Sequence, residues 1–249
     1  MDPSYVDVYA ELEEKHWWWR ARRSILVSIL APLLYSESRA RILEIGCASG
    51  ANLSPFSEHC DVVGIEPDDS FVNLARARNR IEVHQGSLPD GLPTDLGTFD
   101  VVLALDVLEH VQEDAAACVA IRKLLRPGGH FLVTVPANPW MWSEFDELNN
   151  HYRRYTKAQV KELLVDSGFA LELISYFNFF FFGPIAAGRT LTPLFLKRGS
   201  KNRIVPRIPP RFLNEICEWI FALERHWLNS FTFPIGGSLI SLAQRDMYP

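Results

Sequence analysis

A glycine-containing turn and a later carboxylate form the first candidate binding site. Gly46 and Gly50 occur in ILEIGCASGANL, at the end of an apolar run. Glycine adopts backbone angles that other residues avoid, and it lets a ligand approach the backbone amides closely. The next apolar run ends in Glu66, 20 residues after Gly46. A carboxylate there can accept hydrogen bonds from a ribose diol. The spacing therefore predicts a site for an adenosine-containing cofactor.

Acidic and imidazole groups after a third apolar run are suited to handling a second substrate. Asp106, Glu109 and His110 follow FDVVLAL, and α/β folds bind ligands beyond the carboxyl ends of their strands. An imidazole titrates near neutral pH, so His110 is a candidate catalytic base toward an acceptor hydroxyl. The alternative is structural, with Glu109 and His110 capping the following helix and holding the loop.

The segment 140–156, WMWSEFDELNNHYRRYT, is polar and aromatic. His151 is a second candidate catalytic base, and the arginines can anchor a carboxylate or a phosphate. Three residues of this segment are candidate acceptor contacts: Trp140, Tyr152 and Arg154. The alternative is a structural loop, in which the arginines pair with Asp146 and Glu147 while Thr156 caps the next helix.

The elements that must position these groups alternate along the chain. Short runs rich in Val, Ile and Leu alternate with helical segments between residues 41 and 177. Strands of this kind are buried on both faces, which predicts an α/β, doubly wound fold. We expect a helix over ANLSPFSEH, directly after the glycine turn, and a last strand over SLISLAQR.

An aromatic tripeptide near the N-terminus lies on a predicted helix. Trp17, Trp18 and Trp19 fan across about 200° at 100° per residue, so they cannot all face one core. We expect at least one of them to cover a pocket or a partner, although packing alone is the alternative for each.

The composition is that of a folded chain and limits the partners. Of 249 residues, 48% are hydrophobic and 22% charged, with 25 basic and 30 acidic residues for a net charge of −5. We expect no nucleic-acid partner, because phosphate binding draws on clustered Lys and Arg. The four cysteines stand far apart without a C-x-x-C pair, which argues against structural zinc or disulfides. The N-terminus lacks the pattern of a signal peptide. We therefore expect a cytoplasmic protein.

The landmarks together resemble the motifs of class I S-adenosylmethionine-dependent methyltransferases. Glu44, Gly46, Ala48 and Gly50 are similar to the family's acidic-x-G-x-G-x-G pattern, with alanine at the middle glycine. The segments GIEPDDSFV, QGSLPDGLP, FDVVLALDVLEHV and LLRPGGHFLVTVP follow in the family's order. A dinucleotide fingerprint would need G-x-G-x-x-G, of which only one glycine is present.

This resemblance implies a fold and a set of cofactor contacts. The implied sheet has seven strands in the order 3-2-1-4-5-7-6, with the last strand antiparallel. One domain, 1–249, would comprise an N-terminal helical lid (1–38), a Rossmann-like core (39–177), an aromatic and helical cap inserted before the last strand (178–233) and that strand (234–249). Arg20 on the lid could reach the cofactor carboxylate. The implied cofactor contacts are Glu44, Gly46, Ala48, Gly50, Glu66, Pro67, Ser87, Leu88, Leu105 and Asp106.

The resemblance also bears on metals. The arrangement Asp-x-x-Glu-His at 106–110 is similar to one that some methyltransferases of ubiquinone biosynthesis and of small RNAs use for a divalent ion. Metal-free relatives carry similar residues, so we expect no bound metal.

The implied function is methyl transfer from S-adenosylmethionine to oxygen or nitrogen of a small acceptor. The aromatic residues suggest an apolar or lipid-like acceptor. Alternatives are a non-catalytic cofactor-binding or interaction protein on the same fold, or an NAD-linked oxidoreductase.

The aromatic C-terminal third raises the question of membrane contact. A membrane span is not expected in 174–196, because Gly183-Pro184 would break it and Arg189 would lie inside it. A third alternative is peripheral contact with a membrane surface through Phe179–Phe182 and the basic segment 197–211. A later helix carries an apolar stripe, expected to be core or a dimer contact: Leu213, Ile216, Ile220, Leu223 and Trp227.

Overall fold

The computed structural model describes residues 3–34, 39–79, 81–195 and 207–247. They contain one seven-stranded sheet, whose order β3-β2-β1-β4-β5-β7-β6 is the predicted one. The strands are β1 (Arg41–Ile45), β2 (Asp61–Glu66), β3 (Glu82–Gln85), β4 (Phe99–Leu105), β5 (Leu125–Pro136), β6 (Phe169–Phe177) and β7 (Ser238–Arg245). Only β7 is antiparallel to its neighbours, β5 and β6. The expected α/β class and strand order are confirmed.

Eight α-helices accompany the sheet in the part of the chain that the structure describes. They are α1 (Pro3–Lys15), α2 (Trp17–Leu34), α3 (Asp69–Asn79), α4 (Asp114–Leu124), α5 (Glu144–Leu148), α6 (Lys157–Asp166), α7 (Phe182–Phe195) and α8 (Arg211–Ala222). None of the helices described is both long and apolar enough to cross a membrane.

The core lies on both faces of the sheet. Successive strand residues point to opposite faces, and the buried residues of β1 and β4 divide accordingly. Ile42 and Leu103 pack with Leu26 and Leu30 of α2. Leu43 and Val102 pack in a second cluster with residues of α4 and α6. This two-sided burial explains the continuous apolar runs of the strands.

The predicted helix over ANLSPFSEH is wrong. The segment after β1 forms turns and a three-residue 3₁₀-helix, Ser54–Phe56. Ala48 and Gly50 have φ angles of +43° and +76°, which an α-helix does not contain. The Asn52 side chain bonds back to Glu44. The turn therefore offers single backbone amides to its surroundings instead of a helix N-terminus.

The N-terminal helices α1 and α2 break at His16. Asn214 of α8 bridges this break: its Oδ1 accepts from the Trp17 N–H and its Nδ2 donates to the Lys15 carbonyl, both at 2.8 Å. Because Asn214 is buried, it satisfies backbone groups that the break would leave without partners. The C-terminal insertion thus fixes the angle of the N-terminal helices.

The apolar stripe predicted on α8 is not core. Leu213 and Ile216 are exposed, whereas Asn214 and Phe221 are buried. The prediction did not take into account which side of α8 faces α2. The side that packs carries both polar and apolar residues. Most of the basic segment 197–211 lies outside the described residues, which resume at Arg207.

Candidate active site

A cavity of about 390 Å³ lies where β1, β4 and β5 end. Its wall comes from three parts of the chain. The N-terminal helices contribute Tyr9, Glu13, His16, Trp17, Trp18, Trp19 and Arg22. The strand ends contribute Gly46, Ala48, Leu105 and Asp106, and the loops and insertion contribute Glu109, His110, His151, Arg154, Ile185 and Arg189 among others. All three successive tryptophans line it.

The turn after β1 leaves no room for a side chain at Gly46. Its φ is +73°, and a Cβ there would lie 2.6 Å from Cγ2 of Val107. The Gly46 and Cys47 N–H groups both donate to the Ile65 carbonyl, at 2.8 and 3.1 Å. The turn is therefore locked against β2, and its backbone faces the cavity without a shielding side chain.

Two buried carboxyl groups lie beside this turn. Glu44 is fully buried and accepts from Asn52 Nδ2 at 2.8 Å. Glu13 of α1 accepts from the Ser49 N–H at 3.2 Å. Burial raises the pKa of Glu13 to about 7 and that of Glu44 to about 8. Each charge disfavours the other, so the pair favours a bound cation that would let them ionise.

Glu66 ties the ends of β1 and β2 together. Its Oε2 accepts from the Ala48 N–H at 3.0 Å and its Oε1 from the Asp68 N–H at 3.1 Å. Burial raises its pKa. The other residues expected at the adenosine end lie along the ends of β2 and β3: Pro67, Ser87 and Leu88. These residues, Glu66 and Gly50 are not among the residues that line the cavity.

The lid residue that reaches the cavity is Arg22, and the expectation for Arg20 is wrong. Arg20 pairs with Glu218 of α8 at 3.1 Å. Arg22 is buried, its NH1 donates to Asp106 Oδ2 at 2.6 Å, and its guanidinium lies 5.0 Å from the Trp18 ring centroid. At about 100° per residue the two arginines point some 200° apart. The sequence could have named both, but only the packing of α2 distinguishes them.

Asp106 is held in a constrained conformation. Its φ is +57°, and its Oδ1 accepts from Thr134 Oγ1 at 3.3 Å. Non-glycine residues with positive φ are uncommon and often serve function. Its carboxylate, with one oxygen on Arg22, lies between the lid and β5.

His151 has the geometry of an oriented base. Its Nδ1 lies 3.1 Å from Asp146 Oδ1. Burial alone would raise the pKa of Asp146, but the His151 hydrogen bond and the charges of Arg154 and Arg189 lower it well below its usual value. The ionised carboxylate can only accept, so the His151 Nδ1 donates to it and the ring turns Nε2 away from Asp146.

His110 lies against His151, with ring centroids 4.6 Å apart and the rings nearly perpendicular. Burial lowers the pKa of His110, and the neighbouring His151 lowers it further. His110 is therefore neutral at pH 7. Both predicted bases thus lie in one cavity with the β1 turn.

Glu109, His110 and His151 are the one group in the described ranges whose ligand atoms, all within 4.8 Å of one another, could hold a metal ion. Burial raises the pKa of Glu109 well above its usual value, and the charge of Asp106 adds to this. A protonated Glu109 is a poor ligand, since metal ligation requires the carboxylate. Asp106, the first residue of the Asp-x-x-Glu-His arrangement, is instead hydrogen-bonded to Arg22.

The three expected acceptor contacts have different surroundings. Arg154 lines the cavity but is fully engaged, donating to the Ala137 carbonyl, Asp146 and the Gly237 carbonyl. Trp140 and Tyr152 are more than half exposed and are not among the lining residues. Thr156 caps α6, as the structural alternative for this loop has it.

Sequence reasoning missed Arg189 as a cavity residue. It extends from α7 to Asp146 Oδ2 at 2.7 Å and to Ser143 Oγ at 2.9 Å. Its place in an otherwise apolar segment was the available signal, because a lone arginine there needs a buried partner.

The cavity wall suits a ligand with charges of both signs. Four buried polar atoms in or next to the wall have no hydrogen-bond partner among the described residues: Arg22 Nε, Glu109 Oε2 and Asn178 Oδ1 on residues of the wall, and Glu44 Oε2 beside the β1 turn. Buried polar groups are normally paired, so these atoms indicate a polar ligand. S-adenosylmethionine carries an amino group and a carboxylate for Glu44 and Arg22, and an adenosine for Glu66. The residues present fit it.

Comparison with known proteins agrees with this geometry. A family model described as a methyltransferase domain matches residues 18–174, more than half of the chain. A protein of Mycolicibacterium smegmatis named as a probable S-adenosylmethionine-dependent methyltransferase is 31% identical over 165 residues, covering 65% of this chain and 62% of that protein. A ubiquinone biosynthesis O-methyltransferase of Aromatoleum aromaticum is 27% identical over 151 residues, covering 55% and 64%.

The fold recurs in solved structures. An S-adenosylmethionine-dependent methyltransferase from Mesorhizobium loti aligns with a TM-score of 0.57 at 19% identity, covering 87% of this chain and 96% of that one. The matched region spans less than two thirds of the length of the two curated relatives. These matches give no support to the NAD-linked alternative. The chain belongs to the class I S-adenosylmethionine-dependent methyltransferases.

Proposed function

We propose that this protein transfers a methyl group from S-adenosylmethionine to the oxygen of a small, apolar acceptor. The observation that carries the proposal is the hydrogen-bonded pair Asp146–His151 in the cavity that also contains the β1 turn. A hydroxyl must lose its proton as it attacks, whereas many amines need no base. A correctly oriented imidazole base is therefore most useful to an oxygen acceptor. The O-methyltransferase named among the relatives points the same way.

The cofactor supplies an electrophilic methyl group on a sulfonium, so the protein needs mainly to bind, align and deprotonate. Arg22 would hold the cofactor carboxylate, Glu44 its amino end and Glu66 its ribose. Gly46 and Ala48 would let it approach the backbone. His151 Nε2 would take the acceptor proton, and Asp146 would stabilise the imidazolium that results. The tryptophans of α2 exclude water.

The acceptor is proposed to be apolar because aromatic side chains surround its side of the cavity. Trp17, Phe145 and Ile185 line it, and Trp17 packs on Phe181 with centroids 4.7 Å apart. We also propose that the protein is cytoplasmic, has no nucleic-acid partner and forms one domain over 1–249. Nitrogen as the accepting atom is the second candidate.

A test follows release of S-adenosylhomocysteine from S-adenosylmethionine with an isoprenoid-substituted catechol, a simple phenol and a primary amine. We expect turnover with the hydroxyl acceptors. His151→Asn should lower kcat by about 10²- to 10⁴-fold and leave the Kd for S-adenosylhomocysteine within about twofold. His59→Asn, at an exposed histidine, is the matched control.

Unchanged kcat in His151→Asn would remove the base from the proposal. Cofactor binding without methyl incorporation into any component of a cell extract would favour the non-catalytic alternative. Failure to bind the cofactor at all would end both readings.

A further inference from the structure

The outer face of α8 is apolar and exposed. Phe212, Leu213, Ile216 and Trp219 have exposed fractions of 71%, 51%, 37% and 66%. At about 100° per residue they cover an arc of about 120° that contains no charged residue. Ile220 and Leu223 are half-buried within the same arc. Large contiguous apolar patches on a protein surface mark interaction sites.

The opposite face of α8 is already occupied. Asn214 bonds to both sides of the His16 break, and Phe221 stacks on Phe177 with centroids 6.1 Å apart. Glu218 pairs with Arg20 of α2. A surface helix normally turns its apolar stripe inward, and α8 does the reverse. The exposed stripe is therefore not a by-product of packing the core.

The charge next to this face favours an anionic partner. Six basic residues and no acidic one lie between Lys197 and Arg211 in the sequence. Among the described ones, Arg207 and Arg211 are exposed and lie directly before or at the start of α8, and Arg211 pairs with Glu215 at 2.8 Å. Basic residues are attracted to a surface of anionic lipids, and Trp and Phe insert at the headgroup boundary. A second copy of the chain would instead bring a second exposed Arg207 to the same interface.

We propose that the α8 face, defined as Phe212, Leu213, Ile216 and Trp219, docks this protein on a bilayer surface that carries anionic headgroups. Phe179–Phe182 present less aromatic surface than α8, because of these four only Phe180, at 39%, is exposed. Phe179 stacks on Phe233, Phe181 packs on Trp17, and Phe182 contacts Trp140. Phe179, Phe181 and Phe182 thus pack against other aromatic side chains, whereas Phe212 and Trp219 of α8 are more than half exposed and free to insert.

The test is flotation of the full chain with vesicles of pure phosphatidylcholine and of phosphatidylcholine mixed with phosphatidylglycerol. We expect binding to the mixed vesicles at low salt and weaker binding at high salt, because salt screens exposed charges. The double variant Phe212→Ser/Trp219→Ser should lower the partition coefficient at least about tenfold, because it removes two inserted aromatic side chains. Val119→Ser/Val165→Ser, exposed on α4 and α6, is the matched control and should bind as the wild type does.

Three outcomes would overturn the proposal. The wild type remains in solution with anionic vesicles at low salt, or the Phe212/Trp219 variant floats as well as the wild type does. In the third, the wild type sediments as a dimer without vesicles and the variant as a monomer, which makes the face a contact between copies. Circular dichroism and S-adenosylhomocysteine binding check that the variant folds. None of these readouts depends on methyl transfer.

Discussion

At the scale of single residues, Arg22 is the proposed contact between the N-terminal helices and the cofactor carboxylate. Its Nε is buried without a partner in the described ranges, and its NH1 is on Asp106. We expect Arg22→Gln to weaken S-adenosylmethionine binding by about 10- to 100-fold, because a charge-assisted hydrogen bond to the carboxylate is lost. Isothermal titration measures the change. Arg20→Gln, two positions away and facing α8, should bind within about twofold of the wild type; equal losses in both variants would contradict the assignment.

The imidazole pair leads to a prediction about metals. Burial raises the pKa of Glu109, so a metal ion that binds there has to displace a proton. The guanidinium groups of Arg22 and Arg154 line the same cavity and oppose a cation. We expect turnover to stay within about twofold in excess chelator. Loss of turnover that a divalent ion restores would instead give Glu109, His110 and His151 a metal.

The cofactor residues were predictable from the sequence only where a motif specifies them. The pattern from Glu44 to Gly50 requires close backbone approach, and a Cβ at Gly46 would indeed meet Val107. Arg22 and Arg189 belong to no motif. Their roles depend on how α2 and α7 are turned against the sheet, which a local pattern does not encode.

At the scale of elements, the break between α1 and α2 depends on one side chain of α8. Asn214 is 197 and 199 residues from its two partners. We expect Asn214→Ala to lower the free energy of unfolding by about 1 to 3 kcal/mol, because two buried backbone groups lose their partners. Urea denaturation measures this. Glu215→Ala, at an exposed residue of the same helix, should leave the free energy of unfolding within about 0.5 kcal/mol of the wild-type value. An equal loss in this variant would show that any change in α8 destabilises the protein.

The sheet followed from the sequence because its strands are buried on both faces, which leaves continuous apolar runs. The conformation of the segment after β1, where a helix was predicted, did not follow from the sequence. Its residues, 51–59, suit a helix by composition, yet Ala48 and Gly50 in the turn before them take positive φ, and Asn52 turns back to Glu44. Long-range contacts with Ile65 and Glu66 determine that geometry. For α8 the stripe was visible, but amphipathicity alone does not say which side is covered.

At the scale of the whole molecule, buried carboxyl groups make stability depend on pH. Burial raises the pKa of Glu13 and Glu224 to about 7 and that of Glu44 to about 8, from 4.5. The folded state therefore holds protons that the unfolded chain releases, and this stability is lost as pH rises through 7 and 8. His16, whose pKa burial lowers to about 4, acts in the opposite direction only below 6.5.

We therefore expect the free energy of unfolding of the cofactor-free protein to fall between pH 6.5 and 8, by about 1 kcal/mol for each of these carboxyl groups. Urea denaturation at the two pH values measures the fall. Glu44→Gln should show a smaller fall, whereas Glu58→Gln, at an exposed residue, should match the wild type. The same fall in Glu44→Gln would show that other groups cause it.

Glu13 belongs to α1, whereas the amide it binds, at Ser49, belongs to the sheet edge. If α1 moves away, this carboxyl enters water, where its pKa returns toward 4.5 and it ionises at neutral pH. Movement of α1 away from the turn thus releases a proton from Glu13. Mildly alkaline solution should therefore favour the open position of α1, and mildly acidic solution the closed one. Cofactor binding and product release would then depend on pH independently of the chemistry at His151.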